Sequence, residues 1–246
     1  MPGRFRPGID NGEGEPGIMD FKTILTGEYG GFLLEGLRLT VMLFVGGWVL
    51  SIAVALLLTW IGNLRVAPAR LFVAVYVEYH RNVPLLVQLF IWYFAIPQLF
   101  PAKLNLLINS YNAEFFYALI AIALCNAAYV SEDLRSGLRA IPKVQYEAAR
   151  AAGFTYTGAL IWIILPQAWR FALPPLVNQS LVLFKSTSLA AVIGVGELSY
   201  QARLIESQSF LIFETFTVIT VAYLAGSIPL MLLGRHLGKS NRFWER

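Results

Sequence analysis

One cysteine and two histidines stand in the 246 residues. The lone thiol, Cys125, has no partner for a disulfide within the chain, and no Cys/His spacing suits a metal ion. No nucleophile elbow and no His-Glu-x-x-His pattern occurs, so the common hydrolytic constellations are missing. Charge is scarce as well: 14% of residues are charged, where a soluble domain carries about 25%. The first 20 residues lack the apolar stretch of a secretory signal. Gly12, Glu13, Gly14, Glu15 and Pro16 mark them as a flexible tail, taken here as residues 1–30. No polar interval is long enough for a soluble domain, and no internal repeat is visible.

What the chain has in excess is apolar sequence, 57% of its residues. It falls into five stretches near 36–60, 71–97, 115–131, 171–195 and 211–233. A helix needs roughly 20 apolar residues to cross a bilayer. Several separate runs of that length exclude a single soluble core. The fold class expected is an all-α membrane protein with five transmembrane helices over 31–235 and a short tail over 236–246. Cys125 falls inside the third run as a small core residue. Five spans put the termini on opposite sides. Lys and Arg number eleven in segments 61–70, 131–170 and 234–246, against five in 1–34, 98–114 and 197–210. The positive-inside rule then sets the N-terminus outside and the C-terminus in the cytoplasm. The same bias accounts for the net charge of +4 without nucleic acid.

The longest polar interval holds a loop at 140–166. Pro142 suits the first turn of a helix, and Lys143 to Ala152 is rich in strong helix formers. Gly153 is a stop. A second apolar run, Ala159 to Leu165, ends at Pro166. The reading is a short helix, a turn, and a second short helix returning to the membrane. Ala148, Ala149, Ala151 and Ala152 offer a small-sided surface for close approach. Glu147 and Arg150, three residues apart, are placed to pair. Pattern alone admits two roles: docking to another protein, or lying on anionic lipid.

Glu147-Ala148-Ala149, Gly153, Ile163 and Leu165-Pro166 keep the spacing of the permease subunits of ABC importers, and the chain resembles that family from about 32 to 235. Further matches are Tyr76-Val77-Glu78, the run Arg81-Asn82-Val83-Pro84-Leu85-Leu86-Val87-Gln88, Trp92-Tyr93, and Ala128-Tyr129 with Glu132 and Arg135. Leu173-Pro174-Pro175 and Lys185-Ser186-Thr187-Ser188-Leu189-Ala190 complete the likeness to the polar amino acid subfamily. Val77-Glu78 with Arg81-Asn82-Val83-Pro84 is most similar to glutamate/aspartate permeases. Tyr79-His80 and Ser186 depart from the usual pattern.

The resemblance implies a type I importer fold, with the 147–166 loop as a coupling helix seated in an ATP-binding subunit. It also implies a second permease, an extracytoplasmic solute-binding protein and an amino acid substrate. ATP would be used by the partner, with no cofactor held by this chain, in a bacterial inner membrane. An acidic substrate is expected from that likeness, with an importer of another polar amino acid (glutamine, basic or broad range) as the alternative. From other classes, a stand-alone channel leaves the loop unexplained, and a membrane-embedded enzyme finds only Glu78 and His80 as an acid/base pair, without a second partner.

Ionisable groups inside spans are costly and mark paths or partners. Arg38 is placed to pair with Glu35. Glu78 and Arg81 are read as an internal pair fixing a bend at Pro84, with substrate contact as the other role for Arg81. Gln88 is a candidate for the same polar face. Lys185, ahead of three hydroxyl residues, is read either as a cation on the path of an acidic amino acid or as a lysine reaching to water. Asn126 and Tyr129 either face the path or hydrogen-bond in the core. Gly234 to Ser240 imitates a phosphate-binding loop, but its glycines are one residue too close and it follows an apolar span, not a strand. Asn178-Gln179-Ser180 matches a glycosylation acceptor but lies within a span. Lys239 and Arg242 are read as a membrane anchor.

Overall fold

The computed structural model describes residues 20–64 and 66–241. Residues 1–19, Arg65 and Arg242, and with them most of the expected tails, lie outside the described residues. The tail does not extend to residue 30. Asp20 accepts from the Thr23 amide at 3.0 Å, which caps α1 (Phe21–Leu25), and Ile24 is fully buried.

Helix α2 (Gly27–Asn63) is the first span and begins well before the expected Gly36. Its buried positions are Gly36, Thr40, Leu43, Gly47, Ser51, Ala55 and Leu58, one stripe at helical spacing. Most are small. In lipid the tails are as apolar as leucine, so helices associate by close packing and hydrogen bonding, which a small-residue stripe permits. Gly36 shows how close: a Cβ there would lie 3.1 Å from the Leu198 Cα.

The second span is two helices, α3 (Ala67–Asn82) and α4 (Leu85–Phe90), the latter prolonged by a π turn and a 3-10 turn to Leu99. The two halves are bent by 106°. The sequence led us to expect a bend at Pro84 in a continuous span; the structure breaks the span there. Pro84 has no N–H, and a residue preceding proline is driven out of the helical region. Val83 (ψ 125°) and Pro84 (ψ 137°) are accordingly extended.

The stretch 98–114, expected as a loop, forms α5 (Ala102–Asn109). Helix α6 (Ala113–Arg139) is the centre of the fold, packed against α2, α3, α4 and α9. Its most apolar window is 56% buried, against 6% in the last span. After the elbow α7 (Lys143–Ala151), the chain re-enters as α8 (Tyr156–Ala159), a π turn at Leu160–Ile164 and α9 (Leu165–Ser186), one helical run to Ile193. Pro166 therefore does not end a helix. It cannot donate to the Trp162 carbonyl, and the π turn just before it takes up the mismatch. Helix α10 (Leu198–Ser209), not anticipated, leads to α11 (Ile212–Asn241). The imitation phosphate loop is unbroken α11 helix, and no strand occurs among the described residues.

Candidate functional site

Two regions gather chemistry, at opposite ends of α9. At one end is the elbow. Its helix α7 starts where the sequence puts it, with Pro142 as the N-cap. Gly153 has φ +88°. The Gly153 amide donates to the Arg150 carbonyl at 3.0 Å, and the Phe154 amide to the Ala149 carbonyl at 3.1 Å. These two bonds define a Schellman stop, which needs a left-handed residue and so a glycine. Ala149 is buried, while Ala148, Ala151 and Ala152 face outward, so the small-sided surface has three alanines and not four. Glu147 and Arg150 are both exposed and form no ion pair.

The inner face of the elbow is fixed to the bundle by Ile141, Ile164 and Ala168, with Tyr146, Leu160 and Ile163 around them. Burial pushes the Tyr146 phenol above its ordinary pKa. Leu165 and Pro166 remain on the surface. Above the elbow, Glu132 pairs with Arg135 and reaches Arg139 at 3.4 Å, which ties the last turns of α6. Val144 and Tyr156 are more than half exposed, and a Cβ added to Gly153 would meet nothing within 4 Å. The elbow is held firmly on its inner face and presents an open, shallow outer one.

Some 20 residues along α9, about 30 Å away at helical rise, lies Lys185. It is exposed on one wall of a groove of ≈ 590 Å³ that α9, α10 and α11 enclose. Behind that groove sits a carboxylate that sequence reasoning missed. Glu197 is fully buried at the start of α10, outside the spans. Its Oε1 accepts from the Ser199 and Tyr200 amides at 2.8 and 3.0 Å, and its Oε2 from the Tyr223 hydroxyl at 2.7 Å. Thr40 of α2 lies 3.4 Å from Oε2 and accepts from the Leu198 amide at 3.1 Å. Three helices thus meet on one carboxylate. Burial raises its pKa, partly offset by the donors on it. The only sequence signal was an acid directly before a short amphipathic run.

The remaining candidates separate. Gln88 is fully buried inside the Pro84 break. Its Nε2 donates to the His80 carbonyl at 3.1 Å and to the Val83 carbonyl at 2.8 Å. The His80 carbonyl is the acceptor that Pro84 leaves without a donor. Gln88 Oε1 lies 2.6 Å from His80 Nδ1, which places the ring proton on Nδ1. The Cys125 thiol donates to the same carbonyl at 3.6 Å.

The Glu78–Arg81 pair does not form. Glu78 accepts from Asn82 at 2.7 Å, while Arg81 is drawn across to α6, its Cζ 5.6 Å from the Tyr129 ring centroid. Tyr129 donates to the Arg81 carbonyl at 3.4 Å. Asn126 donates to Ser51 of α2 at 3.0 Å, a core contact between spans. Arg38 and Glu35 do pair, at 3.1 Å on the surface.

The multi-span helical bundle with its outward-facing elbow is that of a membrane protein, and its relatives make it a transport protein rather than an enzyme. Residues 47–243 match the family described as "Binding-protein-dependent transport system inner membrane component", and the chain belongs to that family. It is 33% identical over 212 residues to the glutamate/aspartate import permease protein GltJ of Escherichia coli (strain K12), covering 83% of this chain and 85% of GltJ. It is 34% identical over 207 residues to the "Probable glutamine ABC transporter permease protein GlnM" of Bacillus subtilis (strain 168), covering 81% and 87%. A crystal structure of an amino acid ABC transporter with histidines superposes with a TM-score of 0.79 at 28% identity, covering 91% of this chain and 99% of that one. The methionine transporter MetNI shares the fold, at TM-score 0.65 and 18% identity. The chain is an amino acid ABC permease subunit.

Proposed function

We propose that this subunit serves ATP-driven uptake of acidic amino acids, with the elbow seated in a separate ATP-binding subunit. The observation that carries the coupling role is the Schellman-stopped elbow: anchored inside, open outside, and bearing the Glu147-to-Pro166 spacing. The excess of Lys and Arg in the elbow's loop and in 234–246 supports a cytoplasmic elbow and C-terminus, with the N-terminus outside.

Two permease subunits, identical or related, would enclose the path, and an extracytoplasmic solute-binding protein would deliver the substrate. ATP bound by the partner then needs to shift the balance of two packings by only a few kcal/mol. The resemblance to GltJ and a cation at Lys185 support an acidic substrate. Glutamine is the second reading, from the similarity to GlnM.

The test is uptake of labelled glutamate and glutamine by the assembled system, with co-purification of the ATP-binding subunit. Gly153→Val is expected to insert normally and to lose the ATP-binding subunit. Unchanged co-purification by that variant would sink the docking role, and faster glutamine than glutamate uptake by the wild type would reverse the substrate assignment.

A further inference from the structure

At the end of α6 away from the elbow, α5 packs beside α6 and the π turn that prolongs α4. Between them is a pocket of ≈ 460 Å³. Its nine lining residues are all aliphatic or aromatic, with Leu104, Leu107 and Ile108 from α5, Trp92 from the π turn, and Tyr117 and Ile120 from α6. Hydrogen bonds outside the pocket fix its walls. Asn105 Nδ2 donates to the Pro97 carbonyl at 2.7 Å, which ties α5 to the turn before it. Tyr93 donates to Glu114 at 3.1 Å, which ties the π turn to α6.

One group in this apolar pocket is out of keeping. Tyr117 is 1% exposed, and its hydroxyl has no hydrogen-bond partner among the described residues. Edge-to-face contacts with Tyr93 and Phe116, at ring-centroid distances of 6.3 and 5.4 Å, hold the ring. Buried polar groups are nearly always bonded, so a fixed orphan donor calls for an acceptor from outside the chain. Depth says what that acceptor is. The 27 residues of α6 reach about 40 Å at helical rise. That matches a bilayer with its interfacial regions, of which hydrocarbon takes up roughly 30 Å. Tyr117 stands four residues after Ala113, the first of α6, and so ~6 Å along the axis. This is the boundary where acyl chains meet their ester carbonyls.

We propose that the pocket holds one acyl chain of a membrane phospholipid, with an ester carbonyl accepting from the Tyr117 hydroxyl. The apolar walls suit the chain and offer nothing to a polar solute. Charge fits as well: Lys103, the one cation in 98–114, is exposed on α5 beside Leu104 and complements a headgroup phosphate. The lipid fills the corner between the second half of the broken span and α6. Such a site depends on the bilayer alone and goes beyond the transport reading, because it is indifferent to which amino acid is carried.

The test uses the permease assembled with its ATP-binding subunit in detergent and stripped of native lipid. Retained lipid is counted by native mass spectrometry during titration with dioleoyl phosphatidylglycerol, with its dialkyl ether analogue of the same chain length, and with oleate. The diester is expected to bind about tenfold more tightly than the diether, which lacks the carbonyls; that is the worth of one hydrogen bond. Tyr117→Phe is expected to keep the diether affinity and lose the preference. Leu104→Trp fills the pocket and is expected to lose the tight lipid altogether. Leu106→Trp, on the open side of α5 where Leu106 is 70% exposed, is expected to bind as wild type. Should Leu104→Trp fail to assemble, the diester-to-diether ratio in Tyr117→Phe decides alone.

Equal affinity for diester and diether in the wild type overturns the assignment, as does an undiminished preference in Tyr117→Phe. Oleate that displaces the diester at equal concentration would make the occupant a free fatty acid. A pair of permease chains that Leu104→Trp splits would make the pocket a subunit contact. Either result overturns the phospholipid.

Discussion

At the scale of single residues, the structure assigns most polar side chains inside the bundle to holding backbone. Gln88 is the clearest case. Its side chain serves two carbonyls in the Pro84 break and takes the His80 proton. Gln88→Leu keeps the volume and strips every bond. A buried acceptor left without a donor costs about 1–3 kcal/mol, so this variant is expected to lower the thermal midpoint of the detergent-purified chain by several degrees. Gly153 is the opposite kind of residue: it touches nothing, and its constraint is φ +88°. A β-branched residue there costs roughly 1–2 kcal/mol in the left-handed region, a loss that α7 feels and the spans do not.

Glu197 carries a pH signature. Its pKa is raised above the ordinary 4.5 by burial, so the folded state holds the proton more firmly than the unfolded one. Its contribution to stability is complete below 4.5 and is lost as pH rises through the raised value. Melting temperature followed against pH is expected to fall across that window in the wild type and to stay flat there in Glu197→Gln. Parallel curves would mean that Glu197 does not titrate in the fold.

At the scale of elements, the spans were legible because apolar length in a bilayer is a hard requirement. The elbow was legible because Pro142, the alanine run and Gly153 act locally. Three things were not. The second span reads as one apolar run from 71 to 97, and hydropathy is blind to the direction of the chain at Val83–Pro84. The Glu78–Arg81 pair obeys helical spacing, but spacing on one helix cannot weigh Tyr129 on another. Helix α10 hides because its carboxylate N-cap is satisfied by Tyr223, 26 residues further on.

The break also makes a prediction of its own. Pro84→Ala supplies the N–H that proline lacks and removes the bar to helix at Val83, which lets the chain close a helical bond onto the His80 carbonyl, so the need for Gln88 should lessen. The double variant Pro84→Ala with Gln88→Leu is expected to lose less stability than the two single losses summed, by about 0.5 kcal/mol or more. Strict additivity in that cycle would separate Gln88 from the break.

At the scale of the whole molecule, burial is uneven. Helix α6 is enclosed, whereas the last span is 6% buried over its most apolar window. A lone copy therefore exposes α11 along most of its length, with Val221, Leu224 and Leu232 more than half exposed. The groove with Lys185 opens between α9 and this same helix. A path built there is completed by whatever covers α11, as a pair of permease subunits would. Lys185→Ala is expected to cut uptake of labelled glutamate about tenfold and of glutamine much less, with the subunit still assembled. Equal losses for both would show that Lys185 does not read the second carboxylate.

Cys125 sits at the Pro84 break. The chain's one thiol is buried against the His80 carbonyl, beside the amide of Gln88. A maleimide can reach it only when α3 and α4 part from α6. The unaltered protein therefore carries its own stopwatch: alkylation of that sulfur that quickens with nucleotide on the motor subunit would time an opening of the broken span, and an unchanged rate would show that the span stays closed.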